Sequence, residues 1–200
     1  MRWYDLIMCG NALKKPYVSS FEDLKGFEDF QFRVGKRVEN WNPEAWIRCM
    51  KREWNGDPDD VLQNHLAVPI YSARLQVIIR EQNIQGIQFL PLRVLRLDAT
   101  EIPGFAIANI LNTPPAMDMN RSEYDIFEDD YFDSADRGRV AGVFKMVLKR
   151  TVLEDCDIIR PLEFLVSEYA SERFKRAFQA GHCNRLFVRG SAFNVTGCQG

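Results

Sequence analysis

Two histidines, His65 and His182, are all the imidazole in 200 residues, and that scarcity removes most common catalytic designs. A zinc site needs about four ligands at motif spacing. The five cysteines, Cys9, Cys49, Cys156, Cys183 and Cys198, are odd in number, widely spaced and without a Cys-x-x-Cys. They read as reduced thiols of a cytosolic protein, mostly buried as small apolar residues. His182-Cys183 are neighbours in sequence, and adjacent residues on an irregular stretch rarely point at each other; a helix-end histidine beside a buried thiol is the simpler reading. There is no Gly-x-Ser-x-Gly, so Ser72 and Ser167 read as helix caps rather than nucleophiles. A glycine-rich phosphate cradle is lacking, as is the calcium loop with its central glycine. No cofactor or metal is expected. No apolar run approaches the ~20 residues that cross a bilayer, and the stretch from Met1 to Asp5 lacks the features of a secretion signal. Membrane attachment and secretion are not expected, and the cytoplasm is the expected location. The net charge of −2 leaves no basic excess for nucleic-acid binding through phosphate contacts.

What the chain does have is charge in one place. Between Met117 and Asp136 stand eight carboxylates and one cation, Arg121, interleaved with Tyr124, Ile126, Phe127, Tyr131 and Phe132. A purely solvated loop does not need that much apolar surface. Carboxylates mixed with aromatics suit a surface for a basic protein: charges steer the encounter and aromatics anchor it. The candidate partner-binding residues are Glu128, Asp129, Asp130, Tyr131, Phe132 and Asp133. Any acidic chain also offers carboxylate pairs, so a small carboxylate-dependent hydrolase and a non-catalytic scaffold or adaptor stay open as alternatives.

On either side of this segment lies a similar unit. In the first, Ala67 to Tyr71 is extended and Ser72 caps a helix with Leu75, Ile78 and Ile79 on one face. Gly86 breaks the pattern, and Ile87 to Val94 returns as a strand. In the second, Ser167 is the expected cap, with Tyr169, Phe174, Ala177 and Phe178 as the apolar stripe. Gly181 is expected at C′, and Leu186 to Val188 returns. Pieces around Pro161 read as extended. Phe105 to Leu111 reads as a buried strand and Val140 to Leu148 as another. Residues 1–65 form an aromatic-rich N-terminal part. There Trp3 to Met8 reads as a strand, and Ser19-Ser20 as the cap of a short helix. A strand is expected over Gln31 to Val38 and a short helix from Pro43 to Arg52. Its tryptophans, Trp41, Trp46 and Trp54, read as core or lid residues, or as a second candidate surface. The tail from Gly190 to Gly200 is expected to fray. The expectation is one domain over 1–200, of α+β class: a mixed, mostly antiparallel sheet with a few helices packed on it. Leu75, Ile78, Ile79, Phe89, Phe144, Phe174 and Phe178 are the predicted core.

Several of these stretches, taken in order, resemble a known family. They are the capped helix from Ser72 to Glu81, the strand ending at Phe89-Leu90-Pro91, and Asn109-Ile110-Leu111-Asn112. Asp118-x-x-x-Ser122, the strand over Val143 to Leu148, and Phe164-Leu165-Val166-Ser167-Glu168 follow. Together they resemble bacterial immunity proteins of the DUF1629 or Imm11 type, encoded beside polymorphic toxins. The resemblance covers Leu66 to Val188 and marks 66–190 as an immunity-like core. It implies a protein that binds and neutralises a cognate toxin encoded nearby, without catalysis of its own. The acidic segment favours a nuclease as that toxin.

Overall fold

Both helices begin at a serine, and the computed structural model shows that the same short run of residues builds each of them. The structure describes residues 2–8, 18–49, 59–62, 64, 68–183 and 186–189. In chain order the elements are β1 (Trp3–Met8), β2 (Val18–Asp23), β3 (Trp46–Cys49), β4 (Ile70–Tyr71), α1 (Ala73–Glu81), β5 (Ile87–Pro91), β6 (Arg93–Leu95), β7 (Glu101–Ile102), β8 (Ala106–Ile110), β9 (Glu123–Ile126), β10 (Val140–Lys145), β11 (Ile158–Ile159), β12 (Tyr169–Ser171), α2 (Glu172–Ala180) and β13 (Leu186–Arg189). The strands form sheets in the orders β4-β8-β5, β11-β12-β1-β13, β2-β3-β6-β7 and β9-β10. Every pairing is antiparallel except β3 with β6. The fold is α+β, with two α-helices and mostly antiparallel sheets among the described residues.

Ser72 Oγ accepts the Leu75 N–H at 3.2 Å, and Ser171 Oγ accepts the Phe174 N–H at 3.2 Å. Each serine also donates its hydroxyl to a buried carboxylate, Ser72 to Asp60 at 2.8 Å and Ser171 to Asp157 at 3.2 Å. Two residues after each cap an arginine pairs with that same carboxylate: Arg74 with Asp60 and Arg173 with Asp157. The arginines then cross to the other helix. Arg74 donates to the carbonyls of Gly181 and His182, both at 3.2 Å, and Arg173 donates to those of Gln82 and Asn83. Each helix start thus satisfies carbonyls left over at the other helix's end. The contact is reciprocal, so the two helices are related by an approximate two-fold.

The helix ends match as well. Asn83 and His182 both sit in the left-handed region, with φ of 50° and 47°. Ile84 N–H donates to Ile79 O, and Cys183 N–H to Phe178 O, closing the same C-terminal motif. The expected C′ glycine is therefore displaced by one residue: Gly181 is the C-cap with φ −74°, and His182 takes the left-handed position. A Cβ at Gly181 would come 2.3 Å from Ile78 Cδ1 of the other helix, so that side chain would have to shift to admit one.

The sheets flanking the helices share one register. In the first unit Tyr71 faces Ala106 and Ile70 faces Ile107, while Ile87, Phe89 and Leu90 face Ile110, Ala108 and Ile107. In the second, Ala170 faces Tyr4 and Tyr169 faces Asp5, while Leu186, Val188 and Arg189 face Met8, Leu6 and Asp5. The extended Asp60 to Leu62 edges β4 as β11 edges β12. The two units are thus copies of one arrangement with their inner strands exchanged. β1 precedes the first unit in sequence but lies in the second unit's sheet, and β8 precedes the second unit but lies in the first.

Three apolar cores follow this plan. The central one joins equivalent residues from both units: Leu75 and Phe174, Ile79 and Phe178, Val61 and Ile158, Ala108 and Leu6. The peripheral cores are also counterparts, one around Leu62, Ile70 and Phe105, the other around Ile159, Tyr169 and Trp3. The copies differ at one costly place. Arg160 is fully buried, pairs with the buried Glu168 and donates to Leu165 O at 2.7 Å. Burial raises the Glu168 pKa, and the Arg160 charge works against that shift.

Several elements differ from expectation. Val18–Asp23 is a strand rather than a capped helix, because pairing with β3 outweighs a turn too short to be helical alone. Gln31 to Val38 is not a strand: a 3-10 turn over Asp29–Phe32 is held by a capping box between Glu28 and Gln31, and Gly35 at φ 69° turns the chain. The Pro43 to Arg52 helix is a turn followed by β3, whose Ile47 and Cys49 point inward and whose edge pairs with β6. The return strand over Ile87 to Val94 breaks at Leu92 into β5 and β6, which serve different sheets. Of the extended pieces expected around Pro161, Ile158–Ile159 is β11, while 162–163 and 165–166 are turns; the second cap is Ser171 rather than Ser167, which leaves Tyr169 in β12. His65, Ala67, Trp54 and the 190–200 tail lie outside the described residues.

Of the predicted core, Leu75, Ile79, Phe174 and Phe178 are buried, while Ile78 and Phe89 pack half-buried against the central core. Phe144 is the correction: it is 74% exposed. The β9–β10 register shifts between Val143 and Lys145, so Phe144 is an extra bulge residue turned to solvent. Truncating Phe174 or Phe178 to alanine is therefore expected to cost ~3–5 kcal/mol in denaturant titrations. Phe144→Ala should stay within ~0.5 kcal/mol of the parent. Equal destabilisation by the three would contradict the register assigned to β10.

Candidate partner-binding site

The acidic segment is an ordered hairpin, and its base explains the Asp118-x-x-x-Ser122 spacing. Asp118 accepts the Asn120 N–H through its side chain at 3.2 Å and the Ser122 N–H through its carbonyl at 2.9 Å. This tight turn aims Ser122 Oγ at the Val147 N–H, 2.9 Å away. Asp118 N–H donates to Val147 O at 2.8 Å, and Met117 bridges Leu148. Met117, Met146 and Leu148 are buried in the core beside Trp3, with Tyr124 and Val143 packed on it. The hairpin thus rises from a buried foot. A two-stranded ribbon is marginal alone, and this anchorage is what holds it.

Above the foot, Tyr124 faces Val143 and Ile126 faces Val140. The 127–139 connection is closed by backbone bonds, Phe127 N–H to Arg139 O and Gly138 N–H to Phe127 O, both at 2.9 Å. Arg137 Nε donates to Tyr131 O at 2.8 Å, and Arg139 pairs with Asp136 at 2.7 Å. Phe127, Tyr131 and Phe132 stack in sequence, with centroid separations of 4.4 Å for both neighbouring pairs. Tyr131, the middle ring, is half-buried, while Phe132 is 86% exposed.

Glu128, Asp129, Asp130 and Asp133 surround this stack, and all four are exposed. Among the described residues none of the four has an ion-pair partner. Asp133 accepts the Ala135 N–H through its carboxylate at 2.9 Å and the Asp136 N–H through its carbonyl at 3.2 Å. The six predicted residues thus lie together at one hairpin end. Two more large apolar side chains stand out on the same hairpin, Ile126 at 52% exposure and Phe144. The sequence places Ile126 among the apolar residues of the acidic segment without marking it as a contact residue, and it places Phe144 in the core. Ile126 lies within the acidic run, where an outward position was readable; the bulge that turns Phe144 outward was not.

The tryptophans in the described part do internal work. Trp41 packs between Phe27 and Phe32 and donates Nε1–H to Pro91 O at 2.7 Å, covering the edge of β5. Trp46 is half-buried on β3 with the Arg48 guanidinium 5.2 Å from its ring. Among the described residues, no three or more histidines, cysteines or carboxylates stand together as a metal site would require. No helix of the described residues is long and apolar enough to cross a membrane.

Burial pushes the Cys49 and Cys183 thiols up to about 11. Their thiolate fraction at pH 8 should then be roughly a hundredfold below that of an ordinary thiol. Native-state labelling with an aromatic disulfide, read by peptide mass, should modify both much more slowly than free cysteine. Rates equal to free cysteine would show that these thiols are not shielded as described.

The chain matches the immunity protein family (Imm11) over residues 16–198. No curated protein matches it. The matched span includes both helices, the hairpin and its foot. The chain belongs to the immunity protein family (Imm11), and membership implies a toxin-neutralising role.

Proposed function

We propose that this chain neutralises a cationic cognate toxin by stoichiometric binding, as one cytoplasmic domain without catalysis of its own. The contact surface is the hairpin end, with Glu128, Asp129, Asp130 and Asp133 facing the toxin's charge and Tyr131 and Phe132 filling its apolar pockets. One observation carries this reading: Phe132 is almost fully exposed among four exposed carboxylates that lack a cation of their own. Beyond its contact with Tyr131 the ring is left in water, so most of its burial is left for a partner. A toxin with a basic cleft, as a nuclease presents to its substrate, suits the charge. Cys49, Cys156 and Cys183 are free thiols, in keeping with a reducing compartment.

The two residue types should act on different rate constants. Each rim carboxylate contributes ~1 kcal/mol or less, because water and salt screen it. Changing all four to amides should lower the association rate and flatten its salt dependence. Phe132→Ala or Tyr131→Ala should instead speed dissociation and cost ~2 kcal/mol or more. The measurement is surface binding of the catalytically inactivated toxin domain encoded beside this chain, at several ionic strengths. A quadruple amide variant that associates as fast as the parent at low salt removes the steering argument. Silent aromatic variants move the contact surface elsewhere. Separately, Ser72→Ala, His182→Ala and Cys183→Ala should still protect toxin-expressing cells, with Ser72→Ala costing ~1 kcal/mol of stability. Loss of protection by folded His182→Ala would speak for a chemical role.

A further inference from the structure

The ladder that carries the acidic hairpin out of the core is spliced by a side chain. In an antiparallel pair, opposite residues alternate between those that exchange two backbone bonds and those that exchange none. At the foot, Met117 and Leu148 are of the second kind, framed by Lys149 N–H to Ala116 O and Asp118 N–H to Val147 O, both at 2.8 Å. Asp118 and Val147 come next and would ordinarily exchange both bonds, but the Asp118 carbonyl turns away. It accepts the Ser122 N–H at 2.9 Å and the Arg121 N–H at 3.2 Å. Its place is taken by Ser122 Oγ, which accepts the Val147 N–H at 2.9 Å and donates to Val147 O at 3.4 Å. Pairing then resumes with Glu123 opposite Lys145. Residues 119–121 are looped out as a turn, and one hydroxyl joins the ladder below them to the ladder above.

We propose that Ser122 is a positioning residue for toxin binding: its hydroxyl fixes the direction in which the hairpin presents its aromatic stack and carboxylates. This rests on the toxin-binding reading above and names a residue that acts through the contact residues without touching the toxin. Two ties hold the ribbon to the body. Tyr124 and Val143 pack on the core, and apolar packing keeps them attached but is non-directional. The bond from Val147 to the Ser122 hydroxyl is the directional tie. Val147 is buried, so without that oxygen its N–H would be a donor shut away from water, a costly state relieved by movement of the ladder. Removing the hydroxyl therefore frees the ribbon to swing about 119–121 while Tyr124 and Val143 hold it to the core. The contact residues all remain, but fewer molecules present them in the binding direction.

The test compares Ser122→Ala and Ser122→Thr with the parent in the full chain, by amide hydrogen exchange alone and by surface binding of the inactivated toxin domain at several ionic strengths. In Ser122→Ala the Val147 amide should exchange roughly tenfold faster or more, with the β5 and β8 amides unchanged. Toxin affinity should fall by about tenfold, in step with the fraction of molecules that hold the binding direction. The loss should sit in association, with dissociation within about twofold of the parent, because bound molecules make the same contacts. The salt dependence of association should keep the parent's slope, since the four carboxylates are untouched. Ser122→Thr, which keeps the hydroxyl, should restore both Val147 protection and association. Parent-like binding by Ser122→Ala with a deprotected Val147 amide overturns the proposal and leaves the toxin-binding reading standing. An unchanged Val147 amide in Ser122→Ala overturns it too, because the hydroxyl is then not what holds that N–H. A loss seen in dissociation overturns it by making Ser122 a contact residue, and so does slow association by Ser122→Thr with Val147 protected. A toxin domain that does not bind the parent removes the toxin-binding reading, and this proposal with it.

Discussion

Everything else in this protein hangs on two arginines that each serve two helices. Arg74 and Arg173 hold the carboxylates that position their own helix caps, and their guanidiniums close the far end of the partner helix. As ion pairs they are modest, because each arginine is about half exposed and water screens it. Their weight lies in what they satisfy. Asp60 and Asp157 are buried, and a buried carboxylate without its cation and hydroxyl donor is costly. The carbonyls at a helix end are costly too when packed without a donor. One planar fork meets both needs, which a lysine could not do with the same geometry. The contact repeats in both directions, so the helices have one way to lie against each other.

That constraint carries into the sheets. With the helices locked about a two-fold axis, each unit's inner strand comes from a part of the chain preceding the other unit. Neither unit closes by itself, and the central core is shared by construction. Such pairings are long-range in sequence, which favours slow, cooperative folding over local assembly. The duplication is not perfect, and the departures are informative. Glu168 of the second unit stands where the first has Pro69: the Ala108 N–H donates to the Pro69 carbonyl at 2.8 Å, and the Leu6 N–H to the Glu168 carbonyl at 2.8 Å. The buried pair with Arg160 therefore belongs to one copy only. It adds little net stability and makes the two sheets chemically unlike.

The hairpins show the same division of labour. In the first unit the hairpin is extended by β6 and β7, and its connection folds back so that Phe27, Phe32 and Trp41 pack on the core. The second unit's connection holds a similar aromatic group with no core to cover. Its rings stack on one another and face water, ringed by carboxylates. The same place in the plan thus serves the core in one unit and faces solvent in the other. A foot of buried methionines and leucine anchors it to the core.

Local chemistry was legible in the chain itself. The serine at position 72, the apolar spacing of Leu75 and Ile79, the break at Gly86 and the run from Ala106 to Ile110 are short-range signals that each act within a few residues. The acidic-aromatic cluster was legible for the same reason, since its members lie next to each other. What the chain alone did not disclose depends on partners far away. Val18–Asp23 became a strand because β3 was there to pair with it, and Ser171 outranked Ser167 because Asp157 and Arg173 meet at that turn. Phe144 looks like a core residue until the register with β9 adds a bulge and turns it outward. The strand exchange is the clearest case. Trp3 to Met8 and Ala106 to Ile110 share almost no sequence, and only the hydrogen bonds of the folded sheets reveal that they occupy the same position.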